Sequence, residues 1–123
     1  MNSQELKDRT KRMGIRVVHL VEALARNRTS DVLGKQLLRS GTSVGANYRA
    51  VCRAKSPADF VNKLKIVEEE CDESLYWMEL LIETGQMKAA RLANLMKETD
   101  EILAIVVAAA KTARTSAAQP RKS

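Results

Sequence analysis

Aromatic side chains are nearly absent from this chain, with one Phe, two Tyr and one Trp among 123 residues. Proline occurs twice, cysteine twice and histidine once, and the longest apolar run, residues 102–110, is nine residues long. Each scarcity excludes something. A chain this poor in aromatics has little of one class of side chain that favours a pleated sheet. His19 is the only histidine, so a hydrolytic triad or a histidine-rich metal site has no material; it is expected to be partly exposed and without catalytic partners. The apolar run is far short of the ~20 residues that cross a bilayer, so no membrane partner is expected. The opening MNSQELKDRTKR is charged and lacks the apolar stretch of a secretory signal. A cytoplasmic location is the expectation, and Cys52 and Cys71 suit a reducing compartment. With a chain reversal near Lys55–Ser56 the two cysteines would lie about 18 Å apart along the hairpin, a poor geometry for a disulfide. Both thiols are expected as buried packing.

What is present is helix-forming: Ala, Leu, Glu, Lys, Arg and Met dominate, over a length that makes one domain with its own core. Leu6, Met13, Val17, Leu20 and Leu24 recur at helical spacing and predict a helix over about 3–27, with Thr29 or Ser30 capping the next, over about 30–54. Ser56-Pro57-Ala58-Asp59 sets a capping hydroxyl, a first-turn proline and an early carboxylate in order. A helix over about 57–84 follows on a stripe of Phe60, Leu64, Val67, Cys71, Ser74, Met78 and Leu81, stopped at Gly85. The fourth helix is predicted over about 87–113, in a bundle occupying 1–114, and 115–123 reads as a disordered tail. Short connections between long amphipathic helices force antiparallel neighbours, so the fold class is all-α, an antiparallel up-down-up-down four-helix bundle.

Residues 37–48, LLRSGTSVGANY, look at first like a phosphate-cradling loop. The phosphate-loop pattern needs a Gly-Lys-Ser/Thr ending after a strand, and neither is present. Leu37, Gly41, Val44, Tyr48 and Val51 fall instead on one helical face. A continuous helix is therefore predicted, in which Gly41, Val44 and Gly45 make room for close helix packing. A hairpin through residues 55–56 would set Gly41 against the third helix near Glu70 and Cys71, and Trp77 near Gly34.

Charge is unevenly placed. Residues 1–56 hold 12 Lys/Arg against 4 Asp/Glu, residues 57–101 hold 5 against 11, and residues 102–123 hold 4 against none. Basic lines on the first two helices make Arg9, Arg12, Arg16 and Arg39 candidate nucleic-acid-binding residues, since phosphate backbones bind such surfaces without sequence readout. So few aromatics disfavour sequence-specific single-strand recognition. Glu69, Asp72, Tyr76, Glu79 and Glu83 form an acidic line on the third helix. Set against Arg49 and Arg53 of another copy, these residues make a candidate subunit interface, head to tail. The run from Glu68 to Glu73 lacks the Glu-x-x-His pairs of a di-iron bundle. No metal, cofactor or catalytic residue is expected.

LLRSGTSVGANYRA, followed by AKSPADFVNKLKIVEEECDESLYWMELL, resembles the four-helix-bundle proteins encoded by intervening sequences of the 23S ribosomal RNA gene. The resemblance covers about residues 5 to 110. A more distant relative of that family is the accessory protein of diversity-generating retroelements. The resemblance implies an up-down bundle that assembles as a ring, typically a homopentamer. For the retroelement branch it implies binding to RNA or DNA and to a protein partner, a reverse transcriptase. It carries no catalytic residue set. The expected function is a non-enzymatic oligomer that binds nucleic acid or acts as a scaffold; the alternative is a structural oligomer that binds a protein partner.

Overall fold

The structure, a computed structural model, describes residues 2–118. Among these, four helices follow one another: α1 (Ser3–Glu22), α2 (Arg28–Val51), α3 (Pro57–Glu83) and α4 (Ala89–Ala118). Each of the first three starts has a chemical cause. Asn2 Oδ1 accepts from the Glu5 amide at 2.8 Å, Asn27 Oδ1 from Ser30 at 2.9 Å, and Ser56 Oγ from Asp59 at 3.1 Å. Each satisfies a first-turn donor that the helix itself leaves open. Asp59 in turn accepts the Lys55 amide, one residue before the cap, at 3.0 Å and so ties the incoming chain to the first turn of α3. At the other end Gly85 takes φ +72°, and the amides of Gly85 and Gln86 donate to the carbonyls of Ile82 and Leu81 at 3.0 and 2.9 Å. That is the left-handed stop which glycine adopts without strain.

Several boundaries differ from the expected ones. α1 ends at Glu22 and not near 27, because Asn27 is taken as the cap of α2 in place of Thr29 or Ser30. α2 accordingly spans Arg28–Val51 and not 30–54. α4 begins at Ala89, beyond 87, and continues to Ala118, past the expected end at 113 and into the segment read as a tail. The rest of that expected tail, 119–123, lies outside the described residues.

LLRSGTSVGANY is helical throughout. Its glycines, however, turn towards α1. A Cβ added at Gly41 would come within 2.7 Å of Val17 Cγ2, and one at Gly45 within 3.3 Å of the Thr10 backbone. The close approach expected against Glu70 and Cys71 on α3 is thus made to α1. Ser40, one position back, faces α3: its hydroxyl lies 2.9 Å from that of Ser74, both fully buried. Rising numbers on α2 meet falling numbers on α1, since Gly34 faces Leu24 and Val21 whereas Gly45 faces Thr10. The two helices are antiparallel, and α2, α3 and α4 pack in the same chain-neighbour order.

The core fills with apolar side chains from all four helices, Met13, Val17, Leu37, Val44, Leu64, Met78, Leu92, Ile102 and Val106 among them. At the end holding the α1–α2 and α3–α4 turns, Gln86 Oε1 accepts from Asn27 Nδ2 at 3.0 Å and Ser30 Oγ at 2.8 Å. Both cysteines are free, but only Cys71 is buried, with its thiol pushed up to about 12 by desolvation; Cys52 is exposed, contrary to expectation. Among the described residues no helix is long and apolar enough to cross a membrane.

Two glycines on the α1–α2 contact should respond oppositely to alanine. At Gly41 the new methyl meets three atoms of a β-branched side chain that cannot swing away. Gly41→Ala should therefore destabilise by about 1–3 kcal/mol. At Gly14 the nearest atoms are 3.8 and 3.9 Å away, ordinary contact, so Gly14→Ala should gain up to about 1 kcal/mol of helix propensity. Thermal unfolding of the two variants beside the parent chain checks the pair; a rise in Tm for Gly41→Ala would contradict the packing.

Candidate nucleic-acid interface

The cations of α1 lie on two flanks of its core stripe of Leu6, Thr10, Met13 and Val17. At 100° per residue, Arg9, Arg12 and Arg16 fall on one side and Lys7 and Lys11 on the other. The arginine side meets α4. Arg9 Nε donates to Glu98 Oε2 at 2.9 Å, Arg9 Nη2 also bonds Glu98 Oε1, and it reaches Glu101 Oε2 at 3.0 Å. The side chains of Arg9 and Glu98 are only 18% and 21% exposed, so water screens this pair less than an ordinary surface pair. Glu98 is held below the usual carboxylate range, first by the hydrogen bond from Arg9, with Arg16 and Arg12 adding their fields. Three of the candidate nucleic-acid residues thus stand around an internal carboxylate.

Arg39, the fourth, lies against α3. It pairs with Glu73, and its Nη1 is 3.6 Å from Glu70 Oε2, a buried oxygen with no hydrogen-bond partner in the structure. Burial pushes the Glu70 carboxyl up, and the neighbouring Glu73 adds to the shift.

The lysine side of α1 lies along α2 above the glycine contact. Gly14, Ile15, Val18 and Ala46 floor a groove of about 490 Å³ whose rim carries Lys7, Lys11 and Arg49. Ile15 is 47% exposed there. The groove runs on into a polar cleft of about 380 Å³ between Gln4, Lys7, Asp8, Lys11, Arg49 and Arg53. Asp8 is its only carboxylate and accepts from Gln4 Nε2 at 3.1 Å. Lys7, Lys11, Arg49 and Arg53 make no ion pair among the described residues.

Arg49 and Arg53, expected as subunit-interface residues, are therefore brought together with Lys7 and Lys11, which sequence reasoning passed over. A signal for the lysines was present: 4, 7, 8, 11, 14, 15 and 18 form a helical line mixing cations with exposed apolar residues. The line Glu69, Asp72, Tyr76, Glu79 and Glu83 is fully on the exposed face of α3, with Lys65 at its N-terminal end. His19 is exposed near the C-terminus of α1. Val44 is fully buried.

The fold and the sequence now find relatives. A family model described as 23S rRNA-intervening sequence protein matches residues 3–108, and the chain belongs to that family. It is similar to a protein with unknown function from the S23 ribosomal protein family of Bacteroides thetaiotaomicron, known from its crystal structure. The two are 37% identical with a TM-score of 0.83, over 90% of this chain and 99% of that one. Among curated proteins there is no match.

The Arg9–Glu98 bond gives a pH dependence of known sign. Because Glu98 titrates below its ordinary 4.5 in the folded chain, its contribution is complete above that pH and is lost as pH falls through the depressed value. Glu70 works the other way, since acid relieves its buried charge. Arg9→Gln should cost about 1–2 kcal/mol at pH 7, by analogy with charge-assisted hydrogen bonds of partly buried groups. It should also flatten the loss of stability below pH 4.5. Urea unfolding from pH 3 to pH 7 measures both; an unchanged acid slope would remove Glu98 as its source.

Proposed function

We propose that this chain is a non-enzymatic binder of nucleic-acid backbone, with the α1–α2 groove as its contact surface. One observation carries the reading. Arg9 and Arg39 face carboxylates of the same chain, Glu98 and Glu73, whereas Lys7, Lys11, Arg49 and Arg53 converge on one groove and its adjoining cleft without an ion pair among the described residues. A cation already neutralised within its own fold gains little from a phosphate, while an unneutralised one releases the counterions that drive backbone binding. The groove presents no aromatic side chain on which a base could stack, so recognition follows charge and shape and not sequence. The family supports a connection with ribosomal RNA genes through its name alone.

Mixed-sequence RNA or DNA at low salt should be retarded in a mobility-shift assay. Converting Lys7, Lys11, Arg49 and Arg53 to glutamine should weaken binding at least about tenfold and flatten the log–log salt dependence by about 3. Arg39→Gln should change little, and helicity should persist in both. A parent chain that shifts neither nucleic acid at low salt overturns the proposal in favour of a scaffold that binds a protein.

A further inference from the structure

The groove between α1 and α2 is not uniform along its length. The two helices run antiparallel, with Gly45 beside Thr10, so Arg49 and Arg53 fall at the same end as Lys7 and Lys11. These four cations stand around the polar cleft, where Asp8 is the one carboxylate. Beyond Lys11 the lining carries no charge: Gly14, Ile15 and Val18 of α1 lie along Gly45 and Ala46 of α2. Ile15 is half-exposed, so this floor faces water. Groove and cleft, about 490 and 380 Å³, have the volume of a small-molecule site, and bundles place such sites between helices. A nucleic-acid backbone accounts for the cations but leaves the floor bare. A ligand that accounts for both has an anionic head and an apolar tail.

We propose that the groove binds a single-chain amphiphile headed by a phosphate monoester, its head in the cleft and its alkyl chain along the floor. This goes beyond the nucleic-acid reading and does not depend on it. The head follows from charge. A phosphate monoester carries close to two negative charges and three acceptor oxygens, so it engages several of the four cations at once. A carboxylate, with one charge and two oxygens, would leave most of them unmatched. The tail follows from shape. The floor is a narrow strip between two closely packed helices, about 10 Å long from Lys11 to Val18. A linear chain lies along such a strip, whereas a flat ring finds no aromatic partner in the lining. The groove is open above, so the chain is covered on one side and affinity grows methylene by methylene.

Isothermal titration calorimetry of the full chain tests this with inorganic phosphate, butyl phosphate and octyl phosphate, each below its micelle concentration. Each methylene laid on the floor should tighten binding about two- to fourfold, so octyl phosphate should bind at least about tenfold more tightly than butyl phosphate. Binding should saturate at one ligand per chain. Ile15→Ser combined with Val18→Ser should remove most of the chain-length gain and leave inorganic phosphate unchanged. Lys11→Gln with Arg53→Gln should weaken all three phosphates several-fold and leave the gain in place. Circular dichroism confirms that each variant is folded; the series on the parent chain decides the role of the tail by itself. Equal affinity for butyl and octyl phosphate overturns the proposal, as does a gain that survives in the folded floor variant. Octanol binding as tightly as octyl phosphate removes the role of the head. Uptake without saturation, or binding to phosphatidic acid vesicles but not to soluble octyl phosphate, also overturns the site. RNA does not enter these titrations, so failure here and failure of the nucleic-acid reading are told apart.

Discussion

The contact on which the rest of this structure depends is the approach of α1 to α2 over Gly41 and Gly45. Removing two side chains from one flank of α2 lets Val17 and the Thr10 backbone come within the space a Cβ would occupy. Dispersion falls off steeply with distance, so a backbone-to-backbone seam of this kind binds α1 far more firmly than side-chain contact alone. The consequence appears on the other side of α1, where contact with α4 is sparse. A helix drawn onto one neighbour leaves less apolar surface for the next, and the α1–α4 seam is closed by the Arg9–Glu98–Glu101 ion cluster. The groove has the same origin. Small residues beneath it keep its floor shallow, and Lys7 and Arg49 are left at its edges.

That arrangement also sorts the charges. A bundle with 21 Lys and Arg residues could scatter them evenly over its surface. Here the flank of α1 that meets α4, and Arg39 where α2 meets α3, find carboxylates within the chain. The flank above the glycine seam does not. Net charge is therefore a poor guide to where an anion would bind. What counts is the charge left after internal pairing; four such cations converge on the α1–α2 groove and its cleft, and carboxylates without an ion pair among the described residues line the exposed face of α3.

Most of the fold was legible in the sequence, because helical periodicity, capping residues and short connections all pointed to one architecture. Ser56-Pro57-Ala58-Asp59 and Gly85 marked the ends of α3 correctly because their chemistry is local. The end of α1 was misread for a tertiary reason: Asn27 is both a cap for α2 and a partner of Gln86 across the bundle, and the second role has no trace in local sequence. The direction of the glycine seam was hidden for another. A four-helix bundle of given topology can turn either way, and its handedness decides whether Gly41 meets α1 or α3. The same choice decides which cations of α1 face the carboxylates of α4. Arg9 and Lys7 both flank the core stripe, on opposite sides. Only the three-dimensional turn of the bundle separates the residue that is neutralised from the one that is not.

The bundle holds two acidic groups on α3 that burial shifts upward, and both lie away from the groove. Its only buried carboxylate oxygen without a hydrogen bond, among the described residues, belongs to Glu70 beneath Arg39, within the α2–α3 contact and away from the groove. Its strongly shifted thiol, Cys71, is sealed in the core, where a raised value makes it less reactive. The surfaces that remain are two extended patches of opposite sign, carried on rigid helices and each long enough to engage a strand or another helix. Long-range charge speeds encounter at such patches, whereas apolar contact governs residence. On the proposed reading, the cations of the groove set the salt dependence of binding, and its apolar floor does not.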